Sequence, residues 1–192
     1  MTVSFEDASA IPTGGLTALQ GLGDRGHITS GQQVLIVGAS GGVGIYAVQI
    51  AKSFDTHVAA VCSAQDSDMI MGIGADVVID YAQHDWGGTD PYDLILDMVG
   101  DRPIETYVRH LTPEGRMVFV GALGMDTMAF MERMAAYKAS SQEGGVVSYM
   151  AQVTTDDLVT LGQLLASEEV TSVIDRTFPL EQPVQGHGDA RK

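Results

Sequence analysis

The stretch from Val34 to Phe54, VLIVGASGGVGIYAVQIAKSF, constrains this chain more than any other, because it joins a strand to a helix through a glycine-rich turn. Val34, Leu35, Ile36 and Val37 form a continuous apolar, branched run, the pattern of a strand covered on both faces in a parallel sheet. Beyond the turn, Val43, Ala47, Ile50, Ala51 and Phe54 recur at helical spacing and predict an amphipathic helix with Gln49 and Lys52 towards water. The first N–H groups of a helix lack internal partners and sit at the positive end of its dipole, so this turn suits an anion such as a pyrophosphate. Gly38, Ala39, Ser40, Gly41, Gly42, Val43 and Gly44 are the candidate cofactor contacts. Gly38, Gly41 and Gly44 can share three tasks, positive φ, room for phosphate and close approach of helix to strand, with Gly42 adding slack. The Gly-x-x-Gly-x-x-Gly spacing is one residue longer before its second glycine than the usual dinucleotide fingerprint, so the flanking strand and helix carry the assignment. A tight turn with no ligand is the alternative.

A second motif overlaps the first. Gly38-Ala39-Ser40-Gly41-Gly42 fits the Gly-x-Ser-x-Gly nucleophile elbow, and Asp175 and His187 follow in hydrolase order, so Ser40 could attack esters. An elbow lies after several strands, one of which supplies an oxyanion donor, whereas only helical sequence precedes Val34.

With 192 residues, 45% of them hydrophobic, and 23 glycines, the chain can build one sizeable α/β core with many turns. The net charge of −15 opposes nucleic acid and anionic membrane surfaces as partners, and it requires a dinucleotide to be held by local donors. No apolar run approaches the roughly 18 residues of a membrane span, and the acidic start MTVSFEDASA has no leader pattern, so a cytoplasmic location is expected. The lone Cys62 excludes an internal disulfide and reads as an inert core residue. His27, His57, His84, His110 and His187 are scattered without a helical pair, so no metal site is expected.

In chain order, Ser4-Phe5-Glu6-Asp7 resembles a capping box for a short helix stopped at Ile11-Pro12, and a second helix with Leu16, Leu19 and Leu22 follows Gly14-Gly15. Further strands are predicted at Val58 to Cys62, Val77 to Ile79, Tyr92 to Met98, Met117 to Val120 and Val146 to Gln152, with a short extended piece at Val173-Ile174. Helices are predicted at Asp68 to Gly72, from a cap at Asp101 through Pro103 to Leu111, and after Asp156-Asp157 with Leu158, Leu161, Leu164 and Leu165 inward. A polar loop, Ala82 to Pro91, carries Trp86; Met125, Met128, Met131 and Met134 suggest a pliable core face. The alternation implies a doubly wound, mostly parallel sheet, a Rossmann fold in one dinucleotide-binding domain over 1–192, with a helical lead-in over 1–30 and a frayed tail over 182–192. Val99 after the fourth strand and Gly121 after the fifth then lie on the ligand edge. A carboxylate roughly 20 residues past the glycines normally binds the ribose of NAD, and Ser63 occupies that place here, with Gln65 and Asp66 close by.

The segments VLIVGASGGVGIYAVQIAK, GADVVIDY, YDLILDMVG and LTPEGRMVFVG together resemble the zinc-independent quinone oxidoreductase branch of the medium-chain dehydrogenases and reductases. The likeness runs from about Phe5 to Leu180; AIPTGGLTALQGL and VTSVIDRTFPL resemble its entry and its exit. It implies a Rossmann domain that binds NADPH, with NAD second, and passes hydride without a metal to a quinone, enone or related carbonyl. Tyr81 matches the family tyrosine that reaches the 2′-phosphate. The family carries a GroES-like domain ahead of this segment, and Met1 stands almost at its end, so half of the usual cleft is expected to be absent. Cofactor binding is then better supported than turnover by the chain alone, with a homodimer or a separate N-terminal domain chain as partner. No catalytic side chain is assigned, since in hydride transfer the protein mainly orients the cofactor.

Overall fold

A computed structural model of the chain describes residues 3–82, 91–120, 132, 135 and 145–179. Its elements in order are α1 (Phe5–Gln20), a π turn (Gly21–Arg25), β1 (Gln33–Val37), α2 (Gly44–Ser53), β2 (His57–Cys62), a 3₁₀ turn (Ala64–Asp66), α3 (Ser67–Gly72) and β3 (Val77–Asp80). Then come β4 (Tyr92–Asp97), α4 (Ile104–Val108), β5 (Leu111–Phe119), β6 (Val146–Ser148) and α5 (Thr155–Ala166). The six strands form one sheet in the order β3-β2-β1-β4-β5-β6, every pair parallel. This is the Rossmann arrangement expected from the alternation, and the order reverses between β1 and β4.

The branched run of β1 sends alternate residues to opposite faces. Val34 and Ile36 join the core beneath α1, α2 and α5, with Leu16, Ile50, Leu94 and Leu161. Leu35 and Val37 join the opposite core with Ile95, Ile104, Tyr107 and Met117. Both faces are dry, which is why the central strands carry no polar alternation.

Several expectations are corrected. The break at Pro12 does not occur: α1 runs through it, capped by Ser4, whose hydroxyl accepts from the Asp7 N–H. Proline costs about 3 kcal/mol in a helix interior, but Ala8, whose carbonyl loses its partner, is exposed to water, and Ile11, Leu16 and Ala18 are buried, which outweighs the loss. Gln49 does not face water either. It is buried, donating to the carbonyls of Ile45 and Thr171 and accepting from the Thr171 N–H, so it ties α2 to the segment after α5. Strand β3 is the sheet edge rather than a buried strand, with Val77 44% exposed. Helix α4 is shorter than expected and has Pro103, not Asp101, at its N-cap. Residues 112–115 fall within β5, although the partners jump from Leu111 to Arg116 while β4 advances from Tyr92 to Leu94, a bulge in the pairing. Strand β6 ends at Ser148, Leu158 faces outward, and Val173-Ile174 belongs to no regular element. The methionine-rich region, Trp86 and the tail over 182–192 lie outside the described residues, apart from positions 132 and 135.

Away from the ligand edge, Asp76 joins β2 and β3 by accepting from Lys52 Nζ at 2.9 Å and from the Val58 N–H at 2.7 Å, with His57 Nδ1 at 3.5 Å. Burial alone would raise its carboxyl pKa, but the Lys52 and Val58 hydrogen bonds and the nearby positive charge hold it below the usual carboxylate range. A depressed folded-state pKa gives stability that is present above the unfolded value of about 3.9 and is lost as pH falls through the folded one. Acid titration of the fold is therefore expected to show this loss, and Asp76→Asn to flatten it below about pH 4. An unchanged acid limb in that variant would assign the loss to other carboxylates.

Candidate active site cleft

The glycine turn lies at the carboxyl end of β1, beside the reversal of strand order. Gly38 adopts φ +85°, which carries the chain off the strand. The N–H groups of Gly38 and Ala39 both donate to the Val61 carbonyl, at 3.0 and 2.9 Å, so these two residues fix the turn on β2 rather than offer their amides to a ligand. A Cβ on Gly44 would collide with backbone atoms of Gly38 and Ala39, so Gly44 serves close approach. Gly41 and Gly42 are exposed, and a Cβ on Gly42 would meet nothing within 4 Å. Helix α2 starts after Val43 with no side-chain cap, and the Gly41 and Ile45 N–H groups donate to the Gly38 and Gly41 carbonyls, each at 3.1 Å.

The turn opens on a cleft of about 640 Å³ lined by Gly38, Ser40, Ser63, Tyr81 and Val99, five of the residues singled out in the sequence. Gly121 lies outside the described residues. Tyr46, inside α2, is buried and bonds Ser172 Oγ at 3.1 Å, a packing role. Cys62 also lines the cleft; burial foremost, then Asp66 and Asp80, push its thiol pKa up, which suits an inert residue.

Charge in the cleft comes from Asp66, Asp101 and Arg102. The Ser63 hydroxyl donates to Asp66 Oδ2 at 2.8 Å, so its proton is engaged by a carboxylate. Arg102 was missed in the sequence, since it lies about 40 residues beyond Ser63 and reaches the cleft only because β4 runs beside β1. Asp97 was missed too. It ends β4 fully buried, and its carboxylate accepts from the Val99 N–H at 2.9 Å and the Gly100 N–H at 3.1 Å. Burial raises its pKa, and these bonds act against that rise. The sequence signal was a carboxylate closing the apolar run Leu94-Ile95-Leu96, three residues before a glycine.

The hydrolase arrangement does not assemble around Ser40. Asp175 is exposed and paired with its neighbour Arg176 at 2.7 Å, unlike the buried carboxylate that orients a catalytic histidine, and His187 lies outside the described residues. Among the described residues no three His, Cys, Asp or Glu side chains group as metal ligands.

The model of the family described as zinc-binding dehydrogenase matches residues 73–192. The chain is 30% identical over 94% of its length to the mitochondrial NAD(P)H oxidoreductase RTN4IP1 of Bos taurus, covering 51% of that protein. It is 31% identical, again over 94% of its length, to a chloroplastic quinone-oxidoreductase homolog of Spinacia oleracea, covering 56% of it. Among solved structures, the quinone oxidoreductase from Coxiella burnetii superposes with a TM-score of 0.81 at 28% identity, over 95% of this chain and 56% of that one. The chain thus spans about half the length of the relatives it matches.

Proposed function

The chain belongs to the zinc-binding dehydrogenase family of the medium-chain dehydrogenases and reductases, and from that premise we propose that it is the dinucleotide-binding half of an NAD(P)H-dependent quinone or enone reductase. The observation that carries this is the glycine turn between β1 and the uncapped start of α2, whose Gly38 and Ser40 line a cleft at the point where strand order reverses. The turn receives the pyrophosphate, Ser63 and Tyr81 face the adenosine ribose, and Val99 walls the side of β4. When bound, the dihydronicotinamide supplies the hydride; the residues of this chain bind, orient and keep water from it. Calorimetric titration with NADPH and NADH, followed by assay with a quinone and an enone, tests the reading. Binding of neither cofactor would end it.

NADPH is the favoured cofactor in this proposal, but only modestly. No carboxylate occupies the place of Ser63, and Tyr81 lines the cleft, both of which suit a 2′-phosphate. Asp66 opposes it, both by its charge and by holding the Ser63 proton. The expected preference over NADH is no more than about tenfold. Asp66→Asn removes the opposing charge and is expected to tighten NADPH by about tenfold while leaving NADH within about threefold. Ser63→Asp should reverse the order. Equal responses of both cofactors to Asp66→Asn would place the 2′-position elsewhere.

A further inference from the structure

We propose, resting on the cofactor reading above, that Asp97 is a positioning residue for the nicotinamide half of the dinucleotide: its carboxylate holds the Val99–Gly100 turn that walls the cleft. Among the described residues Asp97 is the one charged side chain that is buried, level in the sheet with Val37 of β1 and Phe119 of β5. A carboxylate there is costly unless its oxygens are paired, and an apolar side chain would serve the sheet at lower cost. What an apolar side chain could not do is accept from the N–H groups of Val99 and Gly100 as they leave the strand. The ladder reaches only to Met98, whose N–H donates to Val37, so beyond it the carboxylate takes over. Gly100, at φ +68°, then turns the chain towards Asp101 and Arg102.

The held residue touches the phosphate turn. A Cβ placed on Gly38 would lie 2.9 Å from Val99 Cγ2, so Val99 packs directly against Gly38, and both line the cleft. In a doubly wound sheet the dinucleotide lies across the reversal, with adenosine towards β2 and β3 and nicotinamide towards β4 and β5. Ser63 and Tyr81 stand on the first side, and Val99, Asp101 and Arg102 on the second. A fault at Asp97 should therefore be felt by one half of the ligand.

The test compares the parent chain with Asp97→Ala and Asp97→Asn, titrated with NADPH and with adenosine 2′,5′-bisphosphate, which lacks the nicotinamide half. Asp97→Ala is expected to weaken NADPH by about tenfold or more and the bisphosphate by less than about twofold, with faster amide exchange at Val99 and Gly100. Loss of a negative charge alone would tighten both anions, so weakening has the sign of positioning. Asp97→Asn keeps an acceptor for both N–H groups and is expected to stay within about threefold of the parent for both ligands. If Asp97→Ala does not fold, Gly100→Ala, which strains the same turn through its positive φ, should give the same selective loss. Equal weakening of both ligands, or an Asn variant as damaged as the Ala variant, would overturn the positioning role alone. Binding of neither ligand by the folded parent would overturn the cofactor reading and this role with it.

Discussion

Gly41→Val is expected to abolish dinucleotide binding, a loss of at least about a hundredfold, while the chain stays folded. Gly41 is exposed, and the nearest atom to a Cβ built there is the Gly38 carbonyl oxygen at 3.3 Å, which a small shift relieves. The protein therefore has little use for the absence of a side chain at this position, and a pyrophosphate has much. The neighbouring case runs the other way. A Cβ on Gly44 would stand 2.6 Å from the carbonyl carbon of Ala39, backbone against backbone, so Gly44→Ala is expected to cost about 3 kcal/mol of stability. Calorimetry and thermal melting on both variants separate the two roles of one motif. If Gly41→Val melts the chain as severely as Gly44→Ala, or binds NADPH like the parent, the glycines serve packing alone and the turn is no phosphate site.

That division could not be made from the sequence, where Gly38, Gly41 and Gly44 are equivalent members of a repeat. What was legible is what local pattern dictates. The run Val34 to Val37 and the helical spacing behind it fixed β1 and α2, and strand after strand in alternation with helix fixed the parallel sheet. Ser63, Tyr81 and Val99 could be placed on one edge because each follows a strand that had to end there. The failures have a common cause in partners distant along the chain. Gln49 looked solvent-facing by helical phase, yet Thr171, over a hundred residues later, supplies the groups that let it be buried. Arg102 and Asp97 matter to the cleft only through the pairing of β4 with β1, which no local pattern states. Pro12 misled for the opposite reason, since its local cost is real and tertiary burial of Ile11 and Leu16 outweighs it.

Gly14 carries the same lesson to the effect of a single methyl group on stability. By helix propensity alone, Gly14→Ala in the interior of α1 should stabilise by about 1 kcal/mol. Packing reverses the sign. A Cβ on Gly14 would fall inside the contact radius of the Gly42 carbonyl oxygen and lie 2.9 Å from Tyr46 Cδ2, so α1 rests directly on the glycine turn and on the first residues of α2. Neither neighbour yields cheaply: Gly42 belongs to the turn anchored on Val61 through Gly38 and Ala39, and Tyr46 is buried and bonded to Ser172. Overpacking of this kind costs about 1–3 kcal/mol and more when the opposing atom is backbone, so a net loss of about 2–4 kcal/mol is expected for Gly14→Ala. Urea denaturation measures it, and the same preparation titrated with NADPH should bind more weakly, because the displaced group belongs to the turn. A variant as stable as the parent, or more so, would mean that α1 does not seat on the glycine turn, and the GG pair at 14–15 would revert to the helix break its sequence first suggests.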